Sequence, residues 1–443
     1  MGINPIQQLK NKPGSLPSKL LSQGESPDNL LGQQDLEIEN KEELTKENYD
    51  PCLPPFGIKL DQKLQNAIAT LEVESPNSEQ DLIIIRCRHG LLKIGEQFDS
   101  EPITAPKISF VKMIEEIREI IGTMRMFSQE NSQAKRLRGW LLNLQKELET
   151  IYQQELSYLI INDRTKFEIP WEMLELEPKK NNYLGASIVT VRWQDITNPH
   201  DLDNVNSLIN LEIEEKNCCG NMVAYLNIKD LPSVAEEKKI IQAEFNPIIH
   251  ENIYSFFDFL DSVNLPISLI FIASHGFLGN DLSQSKLGED NSKQQISLPQ
   301  LYEYDFDFLG NSPSIVFMNT CHSGRLQQDN ILNIIDPNPQ TGQNYPTGFS
   351  TFFLKKGAKG VIGTLCKVAD KYAAMVSHNF FTEYKENPDL SAATILRNLR
   401  LKAAEKFQSQ KNDENRYLFI FTFMYIYYGN PMTKLQLIAR EDS

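Results

Sequence analysis

From residue 158 onward, short apolar runs of strand length alternate with segments of helical spacing. This alternation is typical of an open α/β sheet flanked by helices. The runs that predict strands are Tyr158–Asn162, Ala186–Trp193, Met222–Ile228, Ile267–Ala273, Ser314–Met318, Gly360–Leu365 and Tyr417–Tyr428. The segments that predict helices are Val234–Phe245, Phe349–Lys356, Asp370–Tyr384 and Ser391–Phe407. Ligands of such sheets gather at the carboxyl ends of parallel strands, so functional residues are expected there.

The part of the chain before these strands divides into a tail and a mostly helical region. Residues 1–55 hold few apolar residues and several prolines, so ordering them would cost more backbone entropy than burial returns, and we expect a flexible tail. In residues 56–155 the patterns predict helices at Leu60–Leu71, Phe110–Phe127 and Ala134–Tyr158 and a strand at Asp81–Arg86. We therefore expect a mixed, mainly helical region at 56–155, the α/β domain at 156–435 and a C-terminal tail at 436–443.

The net charge and the cysteine content indicate which partners and which cellular location to expect. The 44 Lys and Arg residues against 59 Asp and Glu residues leave a formal charge of −15, so neither nucleic acid nor an anionic membrane surface is an expected partner. The longest apolar run is shorter than the roughly 20 residues that span a bilayer. Six cysteines without a CxxC pair favour a reducing, cytoplasmic location over a disulfide scaffold or a zinc site. Met1–Leu20 lacks the apolar stretch of a secretion signal.

Two of the predicted strands end in residues that can perform covalent chemistry. The runs continue as Ser274-His275-Gly276 and as Asn319-Thr320-Cys321-His322-Ser323-Gly324. A cysteine needs a base or a positive neighbour to become a thiolate, and imidazole, with an unperturbed pKa of about 6.5, exchanges protons at neutral pH. His275 and Cys321 are therefore predicted to form a nucleophilic dyad. Because Gly276 lacks a Cβ, its N–H can approach closely and join that of Cys321 in holding an oxyanion.

These strand ends belong to an ordered series of motifs. Its other members are Ile169-Pro170-Trp171-Glu172-Met173-Leu174, Gly348-Phe349-Ser350, Leu354–Leu365, Asp370 and Tyr425-Ile426-Tyr427-Tyr428-Gly429-Asn430-Pro431. Over residues 155–435 the series resembles the CHAT domain of caspase-like cysteine peptidases. The separation of His275 from Cys321 also agrees with the roughly 50-residue spacing of caspases. The resemblance implies a caspase-haemoglobinase fold and peptide-bond hydrolysis by His275 and Cys321. This chemistry requires no metal or organic cofactor.

The chain departs from the family pattern at two places. Cys366 stands where the family commonly has a tryptophan. The stretch Arg325–Thr347 is longer than in the compact family pattern, and its Gln, Asn, Pro and Gly content is typical of a mobile loop. We interpret this stretch as an activation loop, with Arg325 as a cut site. A surface insertion without a role is the alternative.

Acidic residues are candidates for substrate selection. Relatives of this fold often accept Arg or Lys, and a desolvated cation requires a paired carboxylate. Asp370 is the first candidate for that carboxylate, and Asp281 and Asp305 compete with it. A helix cap or a solvated loop charge is the alternative interpretation of each.

The sequence thus predicts a cytoplasmic cysteine endopeptidase that acts on a protein substrate. By analogy, its activity waits for a partner protein or small ligand bound by residues 56–155. The resemblance suggests a setting such as bacterial antiviral defence or regulated cell death. Two alternatives stay open: a catalytically silent interaction module, and a peptidase that cleaves only itself.

Overall fold

The computed structural model describes residues 67–76, 81–90, 92, 96–108, 114–180, 182–193, 213–279, 284–290, 293–328 and 346–438. The tail expected at 1–55 lies outside the described residues, as does the candidate Asp281. Within the described part of the chain, no helix is both long enough and apolar enough to cross a membrane.

The chain forms a large sheet with helices around it. Its strands are β1 (Ile68–Glu74), β2 (Leu82–His89), β3 (Phe98–Asp99), β4 (Ile103–Thr104), β5 (Tyr158–Asp163), β6 (Glu175–Glu177), β7 (Asn182–Tyr183), β8 (Val189–Arg192), β9 (Lys216–Leu226), β10 (Ile248–His250), β11 (Ile267–Phe277), β12 (Lys286–Gly288), β13 (Gln295–Ser297), β14 (Ile315–Thr320), β15 (Gln327–Gln328), β16 (Pro346–Thr347), β17 (Gly360–Thr364), β18 (Tyr425–Gly429) and β19 (Thr433–Leu437).

The α-helices are α1 (Ile114–Glu130), α2 (Ser132–Glu147), α3 (Leu184–Ser187), α4 (Val234–Glu244), α5 (Ile253–Ser262), α6 (Leu298–Leu301), α7 (Asp307–Asn311), α8 (Phe349–Lys355), α9 (Asp370–Glu386), α10 (Ala392–Ser409) and α11 (Asp413–Met424). Short π- or 3-10-helical turns lie at Leu148–Tyr152, Trp171–Met173 and Pro178–Lys180.

The central sheet is mainly parallel. Its strands follow the order β10-β9-β11-β14-β17-β18-β8-β5-β1-β2-β3. The five strands from β10 to β17 run parallel to one another, β18 runs antiparallel to β17, and β18, β8, β5 and β1 are again parallel. Because β11 and β14 are neighbours and run in the same direction, their carboxyl ends meet at one edge of the sheet. The predicted α/β sheet flanked by helices is confirmed.

Helices cover both faces of this sheet. Phe271 of β11 contacts Phe381 of α9, with ring centroids 5.5 Å apart. The next residue, Ile272, pairs laterally with Tyr225 of β9. The Tyr225 ring contacts Phe256 of α5, with ring centroids 5.8 Å apart. Since consecutive side chains of a strand point to opposite faces, α9 and α5 lie on opposite faces of the sheet. The strands between them are buried on both sides, which explains their continuous apolar sequence.

The prediction that residues 56–155 are mainly helical is wrong. This region contributes strands to the central sheet. Its helices α1 and α2 agree with the predicted ones, and β2 agrees with the predicted strand. However, β1 replaces the C-terminal part of the helix predicted at Leu60–Leu71 and pairs in parallel with β5. Ala69, Leu71 and Val73 are fully buried and alternate with more polar residues. This alternation with a period of two is typical of a strand, whereas the helix was predicted from the spacing of only a few apolar residues.

A second correction concerns the aromatic run Tyr417–Tyr428, which was predicted to be one buried strand. Its first part belongs to α11 and only Tyr425 onward is strand β18. Asn412 caps α11 by accepting a hydrogen bond from the Asn415 N–H at 2.8 Å. From Leu418 to Met424 every residue of the helix is buried, so it shows no polar face in the sequence. A helix buried all round cannot be told from a buried strand by periodicity.

A buried ion pair joins the segment before α3 to the sheet. Arg192 of β8 donates from two nitrogens to both carboxylate oxygens of Glu172, at 2.7 and 3.0 Å. Both side chains are almost completely buried. Next to them, the buried Arg400 of α10 donates to the Tyr425 carbonyl at 2.7 Å and to the Thr190 hydroxyl at 3.0 Å. The guanidinium groups therefore tie α10 to β8 and β18.

Candidate active site

The site is built on the ends of β11 and β14. These strands pair in register from Leu269 with Ile315 to Ser274 with Thr320. One position further along the chain stand His275, which still belongs to β11, and Cys321, which opens the turn after β14. The fold thus brings the two residues that were predicted to form the dyad to the same edge of the sheet, at the ends of neighbouring strands.

The turn after Cys321 is fixed by hydrogen bonds from the neighbouring strand. The Thr364 hydroxyl donates to the Thr320 carbonyl at 2.6 Å, and the His322 N–H donates to the Cys366 carbonyl at 3.2 Å. The Ser323 hydroxyl closes the turn on the Thr320 carbonyl at 2.9 Å. His322 itself has a φ of 58°, the left-handed conformation that turns the chain sharply. Cys321 therefore stands on a rigid turn.

Gly276 lies directly against this turn. A Cβ atom at position 276 would stand 1.9 Å from the Cys321 carbonyl oxygen, so only glycine fits there without a shift of the backbone. The N–H groups of Gly276 and of Cys321 both face the Cys321 sulfur and lower the pKa of its thiol. These are the two amides that the sequence proposed as oxyanion donors.

The Cys321 thiol is half-buried. Burial raises the pKa of this thiol above its ordinary value, and the Val368 backbone, the Lys367 charge and the N–H groups of Gly276 and Cys321 offset only part of that rise. The sulfur lies 3.5 Å from the Val368 carbonyl oxygen, which accepts its hydrogen. A thiol in this state needs a base before it can attack an electrophile.

Sequence reasoning missed an acidic loop beside His275. Asp230, which follows β9, accepts hydrogen bonds from the Asp290 N–H at 2.8 Å and from the Asn227 amide at 3.2 Å. Partial burial opposes ionisation of Asp230, but these hydrogen bonds and the interaction with protonated His275 hold its pKa below the ordinary value. Asp230 is therefore an anion close to the predicted base. Its position is set by the neighbouring strands, and no motif marks it in the sequence.

A second missed residue lies beneath the Cys321 turn. Glu237 of α4 is 2% exposed and accepts a hydrogen bond from the Asn319 side-chain amide at 2.6 Å and another from the Ser377 hydroxyl. The Tyr425 hydroxyl donates to the other end of the Asn319 amide. Asn319 is thus held at both ends two residues before Cys321. A single glutamate on an amphipathic helix gives no signal of this role in the sequence.

The acidic candidates for substrate selection lie in different places. Asp370 is the first residue of α9, and its carboxylate accepts the Ser233 N–H at 2.9 Å, which connects α9 to the start of α4. Asp305 contacts Asp261 at the end of α5 through its N–H at 2.8 Å, and Lys356 at the end of α8 at 3.8 Å. Since α5 and α8 lead into the amino ends of β11 and β17, Asp305 stands at the edge of the sheet opposite the dyad.

Arg325, the predicted cut site, is held in an ion pair. Its Nε donates to a carboxylate oxygen of Glu168 at 2.6 Å, and the same carboxylate accepts the Leu326 N–H at 3.0 Å. The Arg325 side chain is 16% exposed. Both ends of the stretch that follows are joined, because β15 and β16 pair antiparallel. Most of the predicted activation loop between these strands lies outside the described residues.

No group of three His, Cys, Asp or Glu side chains is arranged to hold a metal ion in the part of the chain that the structure describes. A cysteine, a histidine and nearby backbone N–H groups are the types of group that acyl transfer through a thioester uses.

The CHAT domain family matches residues 132–421. Among solved structures, the chain is similar to separase in the Saccharomyces cerevisiae separase–securin complex, with a TM-score of 0.45 and 11% identity over 84% of this chain and 31% of separase. It is also similar to the complex of the pro- and mature domains of Porphyromonas gingivalis RgpB, with a TM-score of 0.42 and 10% identity over 74% of this chain and 79% of that one.

A third similar structure is the Arg-specific cysteine proteinase gingipain R, with a TM-score of 0.38 and 9% identity over 74% of this chain and 69% of that one. The chain spans less than a third of the length of the separase chain that it matches. No curated protein matches the sequence. The family match covers more than half of the chain, which confirms the resemblance drawn from the motifs: the chain belongs to the CHAT domain family.

Proposed function

We propose that this chain hydrolyses peptide bonds of a protein substrate, with Cys321 as the nucleophile and His275 as the base. The observation that carries the proposal is that His275 and Cys321 directly follow Ser274 and Thr320, which pair laterally at the ends of neighbouring strands. The family membership of the chain supports the same chemistry.

The proposed reaction follows from the resting thiol. Because burial raises the pKa of Cys321 and so favours the thiol, His275 takes the proton as the sulfur attacks the substrate carbonyl. The N–H groups of Gly276 and Cys321 stabilise the oxyanion that forms. His275 then gives the proton to the leaving amine. Water hydrolyses the thioester with His275 again acting as the base, and Cys321 returns as a thiol.

We further propose that the substrate presents a basic side chain next to the cleaved bond. Asp230 supports this choice, since it is held as an anion near His275, and Asp370 is the second candidate. A peptide library digested by the enzyme tests the idea. Asp230→Asn is expected to weaken the preference for Arg or Lys before the cleaved bond, and Asp370→Asn separates the second candidate from the first.

Asp305→Asn is the matched control, because Asp305 lies at the opposite edge of the sheet. Unchanged basic preference in both Asp230→Asn and Asp370→Asn would remove the acidic selection site. The same digest distinguishes general hydrolysis from self-cleavage alone, since a peptidase that cuts only itself leaves the library intact.

The raised pKa of Cys321 also supports the proposal that the enzyme is restrained until an activator acts. We place the binding of a partner protein or small ligand on residues 56–155. Within this region, Arg125 of α1 donates to Glu175 of β6 at 2.9 Å, beside the segment that holds Glu168 and Glu172. Processing at Arg325 would first require its release from Glu168. Bacterial defence or regulated cell death is the setting that we propose for this activity.

A further inference from the structure

A third residue lies against the turn that carries Cys321. Strands β14 and β17 pair in register from Ile315 with Gly360 to Phe317 with Ile362. Beyond these pairs the turn after Cys321 replaces β14 as the neighbour of β17, since the Thr364 carbonyl accepts the Gly324 N–H at 2.9 Å. Across this turn the His322 N–H donates to the Cys366 carbonyl at 3.2 Å. The backbone of Cys366 therefore lies directly beside the residue that follows Cys321.

This placement suits a disulfide. Disulfides form between Cα atoms about 4.4–6.8 Å apart. The hydrogen bond between His322 and Cys366 holds the two backbone segments at such close range. The charge of the Cys321 thiolate raises the pKa of Cys366, and both cysteines act on the pKa of Tyr425, so the two sulfurs face a common region.

The two thiols differ in access to solvent. Cys321 is half-buried, whereas Cys366 is 0% exposed. A small oxidant therefore reaches Cys321 first, and Cys366 can react only with a group already formed on its neighbour. Other buried thiols of the described chain lie elsewhere: Cys87 is in β2 and Cys218 is in β9.

We propose that Cys321 and Cys366 form a reversible disulfide when the protein meets a peroxide, with Cys366 as the resolving thiol. The Cys321 thiolate attacks one peroxide oxygen, the O–O bond breaks, and sulfenic acid and one water form. The Cys366 sulfur then attacks the sulfenic sulfur, the S–S bond forms, and the hydroxyl leaves as a second water with the Cys366 proton. The two thiols give up two electrons in all, and hydrogen peroxide accepts them.

Such a disulfide would block the nucleophile and protect it at the same time. Sulfenic acid that meets no thiol is oxidised further to sulfinic acid, which ordinary thiols do not reduce. A resolving thiol beside the Cys321 turn intercepts this step. Since only the thiolate reacts and burial raises the pKa of Cys321, the disulfide should form faster as the pH rises.

The test uses the full chain, hydrogen peroxide, alkylation of the remaining thiols and mass mapping without reduction. We expect a peptide pair joined through Cys321 and Cys366, and full return of both thiols to alkylation after dithiothreitol. In Cys366→Ala, Cys321 is expected to reach sulfinic acid and to stay unreactive after dithiothreitol. Cys218→Ala, which removes a buried thiol of β9, should behave like the wild type.

The wild-type map alone decides the question if Cys366→Ala does not fold. Oxidation of Cys321 to sulfinic acid while Cys366 stays reduced would overturn the proposal, and so would a disulfide from Cys321 to any other cysteine. Because the readout is the mass of the linked peptides, a chain without peptidase activity still gives a clear answer. Failure of the disulfide and failure of the proposed peptidase activity are therefore separate results.

Discussion

The side-chain amide of Asn319 donates to the carboxyl group of Glu237 across 2.6 Å, two residues before Cys321. This bond links helix α4 to the strand that ends in the nucleophile. The Ser377 hydroxyl, which also contacts the Ala374 carbonyl at 3.1 Å, can serve either protonation state of the carboxyl group. A serine hydroxyl donates to a carboxylate and accepts from a carboxylic acid. The position of Asn319 is therefore maintained whichever form Glu237 takes.

The first prediction concerns the pH dependence of stability. Burial above all, with a contribution from Asp370, raises the pKa of Glu237 to about 7 from the ordinary glutamate value of 4.5. An acid whose pKa is raised by folding stabilises the folded state below its unfolded pKa and loses that contribution as the pH rises through the folded pKa. Between about pH 5 and about pH 8, the free energy of unfolding of the wild type should fall by about 2 kcal/mol relative to that of Glu237→Gln.

Urea unfolding at the two pH values measures this difference. Glu236→Gln, on the exposed side of the same helix, is the control and should follow the wild type at both values. If the free energies of unfolding of the wild type and Glu237→Gln differed by the same amount at both pH values, the prediction would be contradicted.

A second prediction tests the close approach of Gly276 to the Cys321 turn. In Gly276→Ala the new Cβ would stand 1.9 Å from the Cys321 carbonyl oxygen, so the backbone must move. We expect the free energy of unfolding to fall by about 1–3 kcal/mol, and labelling of Cys321 by peptidyl ketones to be lost. Gly122→Ala in α1, where a Cβ meets nothing within 4 Å, should not lower stability. Full labelling of Gly276→Ala would show that this glycine does not shape the site.

A third prediction concerns the buried pair of Arg192 and Glu172. Arg192→Met leaves the Glu172 carboxylate buried without its bidentate partner and should cost about 3–5 kcal/mol. Adding Glu172→Gln to that variant removes the unpaired charge and should recover part of the loss. Lys180→Met, which breaks an exposed pair with Glu177, should change stability by less than about 1 kcal/mol. Equal losses of stability in Arg192→Met and Lys180→Met would refute the prediction that the buried ion pair matters more for stability than the exposed one.

The strand ends were accessible to sequence reasoning because they carry strong local signals. The runs before His275 and Cys321 are continuous, apolar and of strand length, and each ends abruptly in polar residues and glycine. In a parallel sheet the carboxyl ends of the strands lie at the same edge, so no knowledge of the strand order is needed to place them there. For this reason the dyad could be predicted before the register of the sheet was known.

The remaining site residues depend on tertiary structure. Asp230, Glu237 and Cys366 reach the dyad only through the order and register of four strands, which no local pattern specifies. The same limit explains why α11 was taken for a strand, since its burial on all sides hides the helical period. It also explains why Asp305 was expected near the dyad, although the chain returns it to the opposite edge.

The most direct test of the peptidase proposal is intact-mass labelling with Arg and Lys acyloxymethyl ketones, with and without lysate of the source organism. We expect one label on wild-type Cys321, none on Cys321→Ala, and strongly reduced labelling of His275→Ala. His322→Ala should keep the label, because burial above all lowers the pKa of His322 to about 4 and the residue is not the base. A lysate requirement would reveal the activator. Labelling of His275→Ala at the wild-type rate, or no labelling of the wild type by basic, acidic or apolar probes, would contradict the proposed dyad.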